Sequence, residues 1–349
     1  MNHVEIGDRL LGPGQPCFLV AEIGINHNGS LELAHQLIDA AADAGADAVK
    51  FQNYRTEDFV TDQTLTHEYW NEGKSIIESQ YEMFKRYELT DAALAEFAQH
   101  CCRRNILFFS TPTSKTGIDL LVRLGVTLLK NGSDYLVHLP LIRAMARTGL
   151  PTLLSTGMAT LSEIDDAVRA YREADGQGLV LLHCTSSYPT PADDVHLRKI
   201  PALMAAFGCP IGFSDHTAGV VAALGAVTMG ACCVEKHFTL DRDLPGPDHW
   251  FSSDPAEFKA LVDSVRTLER NLGCSTIGPT PSEALGRRDY RLSCLLARDL
   301  PAGHELTEAD VTFKRPATGL PPRSLDWIVG RQLARDLPAG RILQPGDFR

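Results

Sequence analysis

The sequence predicts an α/β protein: a (β/α)8 TIM barrel followed by a small C-terminal domain. Three observations carry that expectation. Short apolar runs alternate with helical stretches eight times between Phe18 and Leu272, the pattern of parallel strands joined by crossover helices. Most strand runs end in a cluster of polar residues, and in a barrel that edge carries the chemistry. Beyond Gly273 the composition changes and a seven-residue segment repeats. A length of 349 residues accommodates 1–273 as the barrel, 274–288 as a linker and 289–349 as the small domain.

In chain order, alternation around Gly7-Asp8 within residues 2–12 suggests a hairpin ahead of the barrel. The first strand is Phe18–Gly24, ending in Asn26-His27-Asn28-Gly29. Ser30 then caps a helix from Leu31 to Ala44, with Gly45 at its end. Ala46–Phe51 is the second strand. A polar excursion follows from Asn53 to Leu89, bearing Tyr54, Trp70 and Tyr81. Its length suits a lid or binding loop. The alternation is then regular, with helices at 91–104, 117–124, 139–148, 162–173 and 197–207. The strands between them fall at 106–110, 127–130, 152–155 and 179–183. Pro210 to Thr239 forms a last βαβ unit, and Pro255–Leu272 closes the ring. In the tail, Ala297-Arg298-Asp299-Leu300-Pro301-Ala302-Gly303 recurs 37 positions later as Ala334–Gly340. Each copy leads to an acidic turn, at Asp310 and Asp347. The repeat is too short for a solenoid and suggests internal two-fold symmetry.

Composition excludes several classes. Apolar residues reach 44%, enough for a sizeable core. A net charge of −11 without a Lys/Arg run argues against a nucleic-acid surface. The nine cysteines include no C-x-x-C pair and read as core residues in a reducing, cytoplasmic setting. No apolar run approaches the roughly 20 residues needed to span a bilayer, and the N-terminus lacks the pattern of a signal peptide.

The strand ends offer a concentrated chemistry. His216 and His237 follow successive strands, each preceded by a charged residue. Adjacent strands lie about 4.8 Å apart, so the two imidazoles can share one divalent ion; separate hydrogen-bonded histidines are the alternative. Lys50 and Lys130 suit a phosphorylated or carboxylated ligand, because clustered lysines are costly without anions. Either lysine also suits Schiff-base chemistry. Glu22 reads as a general base, a sugar-hydroxyl anchor or a carboxylate paired to lysine. Lys236 faces the pocket or pairs with Glu235 or another carboxylate.

Taken together, the segments Ala21-Glu22-Ile23-Gly24-Ile25-Asn26-His27-Asn28-Gly29, Lys50-Phe51-Gln52, Ser110-Thr111-Pro112, Ser155-Thr156-Gly157-Met158, His183-Cys184-Thr185-Ser186, Tyr188-Pro189, Ser214-Asp215-His216-Thr217, Glu235-Lys236-His237-Phe238-Thr239 and Gly246-Pro247-Asp248-His249 resemble the bacterial sialic acid synthase family. The tail resembles that family's antifreeze-like (SAF) domain, including Lys314-Arg315-Pro316. The resemblance implies condensation of phosphoenolpyruvate with an N-acetylmannosamine-type sugar, giving an N-acetylneuraminate or legionaminic-type acid. It implies Mn2+ (or Mg2+ or Co2+) on His216 and His237. It implies phosphoenolpyruvate contacts from Lys50, Thr111, Lys130, Ser133, Ser186 and Ser214, and sugar contacts from Glu22, Tyr188 and Asp248. Arg315 would reach the sugar from the second subunit of a domain-swapped homodimer. Two departures touch the sugar side: Asn131 replaces an isoleucine, and Tyr135 takes an acidic position with Asp134 adjacent. Ser186 stands where some members have asparagine. The competing expectation is another metal-dependent barrel aldolase or lyase acting on a phosphorylated or carboxylated sugar.

Overall fold

β1 (Val4–Ile6) and β2 (Arg9–Leu11) form the expected hairpin, with Val4 opposite Leu11. Its apolar face does not stay at the surface. Val4, Ile6 and Leu11 bury in one cluster with Phe18, Val20, Ala48, Phe109, Leu128, Leu153, Val180 and Leu182. Most of these are inward-facing residues near the strand starts, so the hairpin stoppers the lower end of a barrel whose interior must be filled by side chains. The computed structural model describes residues 3–71 and 74–349.

The barrel follows as β3 (Phe18–Gly24), α1 (Leu31–Asp43) and β4 (Ala48–Asn53). Ser30 accepts from the Leu33 amide and caps α1. The second strand lies two residues later than the apolar run suggested. Asp47 explains this: its carboxylate accepts from the Leu19 amide at 2.8 Å and pairs with Arg266 at 2.9 Å, which pins the approach to the strand. The excursion is no bare loop. It holds an antiparallel pair, β5 (Thr66–Asn71) with β6 (Lys74–Ser79), and then α2 (Gln80–Tyr87). Tyr54, Tyr69, Met83 and Tyr87 bury with Ile25 in a small core of their own.

Next come α3 (Asp91–Arg104), β7 (Leu107–Pro112), α4 (Lys115–Arg123), β8 (Leu129–Asn131), α5 (Leu139–Ala146) and β9 (Thr152–Ser155). The circuit ends with α6 (Leu161–Glu173), β10 (Leu179–Cys184), α7 (Lys199–Phe207), β11 (Ile211–Asp215), α8 (Val221–Thr228), β12 (Cys233–His237) and α9 (Pro255–Leu272). α4 starts before Gly117 because Ser114 caps it through the Gly117 amide. The eight strands pair in parallel in the order β7-β4-β3-β12-β11-β10-β9-β8, and β7 and β8 lie beside each other to close the ring. This is a (β/α)8 barrel. Among the described residues no helix is long and apolar enough to cross a membrane.

The chain divides into two compact units, Met1–Gly273 and Cys274–Arg349. The stretch expected as linker carries a 3-10 turn, Pro281–Glu283, and α10 (Ala284–Asp289); Thr280 and Glu283 cap the turn reciprocally. The second unit adds β13 (Ser293–Leu296), β14 (Val311–Lys314) and α11 (Leu325–Ile328). Its sequence repeat is a structural two-fold. Leu300 bridges its own counterpart Leu337. The Asp299 carboxylate accepts from the Ala339 amide and that of Asp336 from the Ala302 amide, each at 2.7 Å. Leu296, Leu300 and Leu306 share the core with their equivalents Leu333, Leu337 and Leu343.

Candidate active site

Strand alternation decides which polar residues enter the barrel. On β11, Ser214 and then His216 face inward while Asp215 faces the helices; on β12, Glu235 and His237 face inward while Lys236 faces outward. The outward pair bonds to itself, Lys236 Nζ donating to Asp215 at 2.8 Å and to the Thr217 carbonyl at 2.7 Å. Lys236 is therefore structural. The inward set lines a cavity of about 1000 Å³ that also receives Glu22, Lys50, Thr111, Lys130, Ser133, Ser186, Tyr188 and Asp248. Arg315 belongs to the second unit, where it is exposed with its guanidinium 5.3 Å from the centre of the Tyr290 ring.

At one side of the cavity two lysines share a carboxylate. Lys50 Nζ lies 2.7 Å from Glu22 Oε2 and donates to Thr111 Oγ1 at 3.1 Å. Lys130 Nζ donates to Ser155 Oγ at 2.6 Å and to the Asn131 carbonyl at 2.9 Å. Glu235 lies between them, one oxygen 3.9 Å from each ammonium, and accepts from Ser214 Oγ at 3.0 Å. Burial pushes the Glu235 carboxyl up, but Lys130 and Lys50 outweigh it and hold it below the usual carboxylate range. Burial, followed by Lys50, pulls the Lys130 ammonium down, with Glu235 opposing. Glu22 is raised, chiefly by burial, with Lys50 opposing, and Gln52 Nε2 donates to it at 3.2 Å. A row of hydroxyls completes this side. Ser133 Oγ accepts from the Gly157 amide at 3.0 Å. A Cβ on Gly157 would come 2.4 Å from Ser186 Oγ and 2.7 Å from Ser133 Oγ, so only glycine leaves those hydroxyls where they are.

At the other side stand the histidines, ring centroids 5.5 Å apart. His216 Nδ1 donates to the Thr185 carbonyl at 2.8 Å, and its Nε2 faces the cavity 3.3 Å from Ser214 Oγ. Burial pulls this imidazole down, but Cys184, the Thr185 carbonyl and Glu235 outweigh it and raise it. Burial, then His216 and Lys50, drive His237 well below its ordinary value, so it is neutral. Its Nδ1 is buried without a hydrogen-bond partner, 3.8 Å from Asp248 Oδ2. Once deprotonated, His216 Nε2 joins the unpaired Nδ1 of neutral His237 and the Asp248 carboxyl beside it in a donor set that fits a divalent ion. Among the described residues no group of three or more His, Cys, Asp or Glu converges, so oxygen ligands from water or substrate would fill the other positions. Burial, then Glu22, pushes Asp248 up to about 7. Tyr188 lies over His216 at 4.2 Å.

The wall above comes from the excursion: Tyr54, Phe59, His67, Tyr69, Trp70, Met83 and Phe84 line the cavity. Tyr81 does not; its hydroxyl donates to Glu57. Asp134 and Tyr135 both face the cavity. Other strand-end residues turn away. Thr156 donates to the Leu182 carbonyl, His183 bonds the Val195 carbonyl, and Thr185 donates to the Asp194 carbonyl. Sequence reasoning placed Glu235 at a strand end only as a partner for Lys236 and gave no site role to Cys184, Trp250 or Phe251, all of which line the cavity. For Glu235 the two-residue period back from His237 was the available signal.

Comparison with known proteins gives a consistent set. Residues 37–276 match the NeuB family and residues 295–349 the SAF domain. An N,N'-diacetyllegionaminic acid synthase of Legionella pneumophila is 40% identical over 336 residues, 95% of this chain and 94% of that one. A pseudaminic acid synthase of Campylobacter jejuni is 35% identical, over 95% of this chain and 96% of its own. The crystal structure of an N-acetylneuraminic acid (sialic acid) synthetase from Leptospira borgpetersenii superposes with a TM-score of 0.74 at 35% identity, covering 82% of this chain and 95% of that one.

Proposed function

The chain belongs to the NeuB family, and from that premise we propose that it is a nonulosonic acid synthase condensing phosphoenolpyruvate with an N-acetylmannosamine-type amino sugar. The observation that carries this reading is the division of one cavity. Two lysines sharing Glu235 stand on one side, and two histidines with Asp248 stand on the other.

Lys50 and Lys130 suit the phosphate and carboxylate of phosphoenolpyruvate, with Thr111, Ser133, Ser186 and Ser214 as neutral donors around them. Glu22, Tyr188 and Asp248 face the remaining space and are assigned to the sugar. His216 and His237 would hold the metal, Mn2+ first with Mg2+ or Co2+ as substitutes; when bound, it supplies Lewis-acid polarisation of the sugar aldehyde. C3 of phosphoenolpyruvate forms the new bond to the aldehyde carbon, whose oxygen takes up a proton and becomes a hydroxyl. Water adds at C2, and the C2–O bond to phosphate breaks. The products are a nine-carbon 3-deoxy-2-keto acid and inorganic phosphate. Lys50 and Lys130 hold the departing phosphate, and Glu22, buried beside Lys50, is assigned to proton exchange with the sugar hydroxyls. A cytoplasmic location and a domain-swapped homodimer, with Arg315 reaching a partner's sugar, complete the proposal on the strength of the family resemblance.

Phosphate release from phosphoenolpyruvate with Mn2+ tests the reading, offering N-acetylmannosamine and a 2,4-diacetamido-6-deoxy hexose separately. Release with one sugar is expected, falling by at least about a thousandfold in His216→Ala. A folded, metal-binding protein that releases phosphate with neither sugar would overturn it.

A further inference from the structure

Asn26 and Asn28, just beyond the first barrel strand, do not line the cavity; their side chains reach across to the turn that carries Asp248. Asn26 Nδ2 donates to the Phe238 carbonyl and to Ser252 Oγ, both at 2.9 Å. Ser252 Oγ in turn donates to the Asp248 carbonyl at 2.6 Å. Asn28 Nδ2 donates to the Pro245 carbonyl at 2.8 Å, so its Oδ1 requires a donor, and His249 Nε2 lies 3.2 Å away. His249 is fully buried, and burial lowers its imidazole to about 4, so the ring is neutral. A neutral ring donating from Nε2 can accept at Nδ1, which lies 2.7 Å from the Thr239 hydroxyl, a hydroxyl whose one proton the Asp241 carbonyl also faces at 2.8 Å. Gly246 lets the backbone close on this pair. A Cβ there would come 2.8 Å from the His249 ring and 3.0 Å from Asn28 Oδ1. Residues 245–252 are thus tied to the ends of β3 and β12 at four points. Their inner side presents Asp248, 3.8 Å from His237, and Phe251, packed on His237 at 5.0 Å and on Tyr188 at 5.4 Å.

We propose that Asn26, Asn28 and His249 form a polar latch whose function is to position Asp248 and Phe251 at the acceptor side of the cavity, setting affinity for the amino sugar. They are positioning residues, since none lines the cavity. The assignment of that side to the sugar rests on the synthase reading; the latch does not.

Three variants of the full-length chain test it. His249→Leu removes the donor and the acceptor, and His249→Gln keeps one of each. Asn28→Gly removes the side chain while tolerating the left-handed backbone at φ 51°. Without substrates, hydrogen–deuterium exchange should accelerate over 240–253 in the Leu and Gly variants and stay near wild type in the Gln variant, with β4 and β8 unchanged in all three. In steady state the sugar KM should rise about tenfold in the first two, the phosphoenolpyruvate KM should stay within about twofold, and His249→Gln should restore the sugar KM. Unchanged exchange over 240–253 in both disrupting variants overturns the latch. Equal rises in the two KM values overturn its positioning role, because general loosening would weaken both substrates. Should His249→Leu not fold, Asn28→Gly, at a half-buried position, gives both readings. A wild type that turns over no sugar overturns the synthase reading and the acceptor half of the proposal, while exchange still decides whether the latch exists.

Discussion

Glu235 sits 3.9 Å from both Lys50 and Lys130 and sets the charge state of that side of the cavity. Burial already lowers Lys130, with Lys50 adding to the effect, and Glu235 is the first opposing influence. Glu235→Gln therefore lowers Lys130 further. In the proposed synthase Lys130 binds phosphate only while protonated, so activity is expected to be lost as pH rises through its pKa. The alkaline limb of the kcat/KM profile should move to lower pH in Glu235→Gln, and an unmoved limb would show that Lys130 does not depend on this carboxylate. Glu235 could have been found without coordinates. Once His237 points into the barrel, the residue two before it must do so as well, and Lys236 must point out. The partner of Lys236 was another matter, because Asp215 is 21 residues away and reaches it only through the pairing of β11 with β12.

At the scale of elements, the excursion after β4 supplies the aromatic wall. Its polar composition hid the alternation of Thr66–Asn71 and Lys74–Ser79, which pair as a hairpin and lay Tyr69 into a core with Tyr54 and Met83. Trp70 is half exposed and also lines the cavity, a placement suited to the apolar face of a sugar rather than to packing. Trp70→Ala should raise the acceptor KM about fivefold and leave the melting temperature and the phosphoenolpyruvate KM nearly unchanged. A drop in melting temperature with no change in KM would make the residue part of the hairpin's own stability. The barrel strands were easier to read because most are buried, largely apolar runs, and several of the helices between them carry side-chain N-caps. Boundaries moved by a residue or two, at β4 where Asp47 pins the approach and at α4 where Ser114 caps the helix.

At the scale of the whole molecule, the two units rest on different chemistry. The barrel has large apolar clusters, whereas the second unit combines a small leucine core with two buried carboxylates at equivalent places. Asp310 accepts from Arg298, His304 and Thr307, and Asp347 from Arg335, Arg341 and Gln344. Burial pushes both carboxyls up, but these donors outweigh it and both end below their ordinary value. A carboxylate depressed in the folded state contributes stability above its unfolded pKa of about 3.9, and that contribution is lost as pH falls through the folded value. Asp310→Asn should therefore lower the unfolding transition of the second unit at pH 6, and the gap from wild type should narrow as pH falls toward 3. A gap independent of pH in calorimetry would count against this account.

What the sequence determined by itself was whatever is periodic or local: the strand and helix alternation, the caps, the 37-residue offset of the tail repeat, and the polar residues collected at strand ends. Each follows from side-chain direction along a single element. What only the tertiary structure decided was which of those polar groups meet. Lys50, Glu235 and Lys130 come from three strands, and Asn28 meets His249 across 221 positions. Ring closure and loop return set those distances, and no spacing within one segment encodes them.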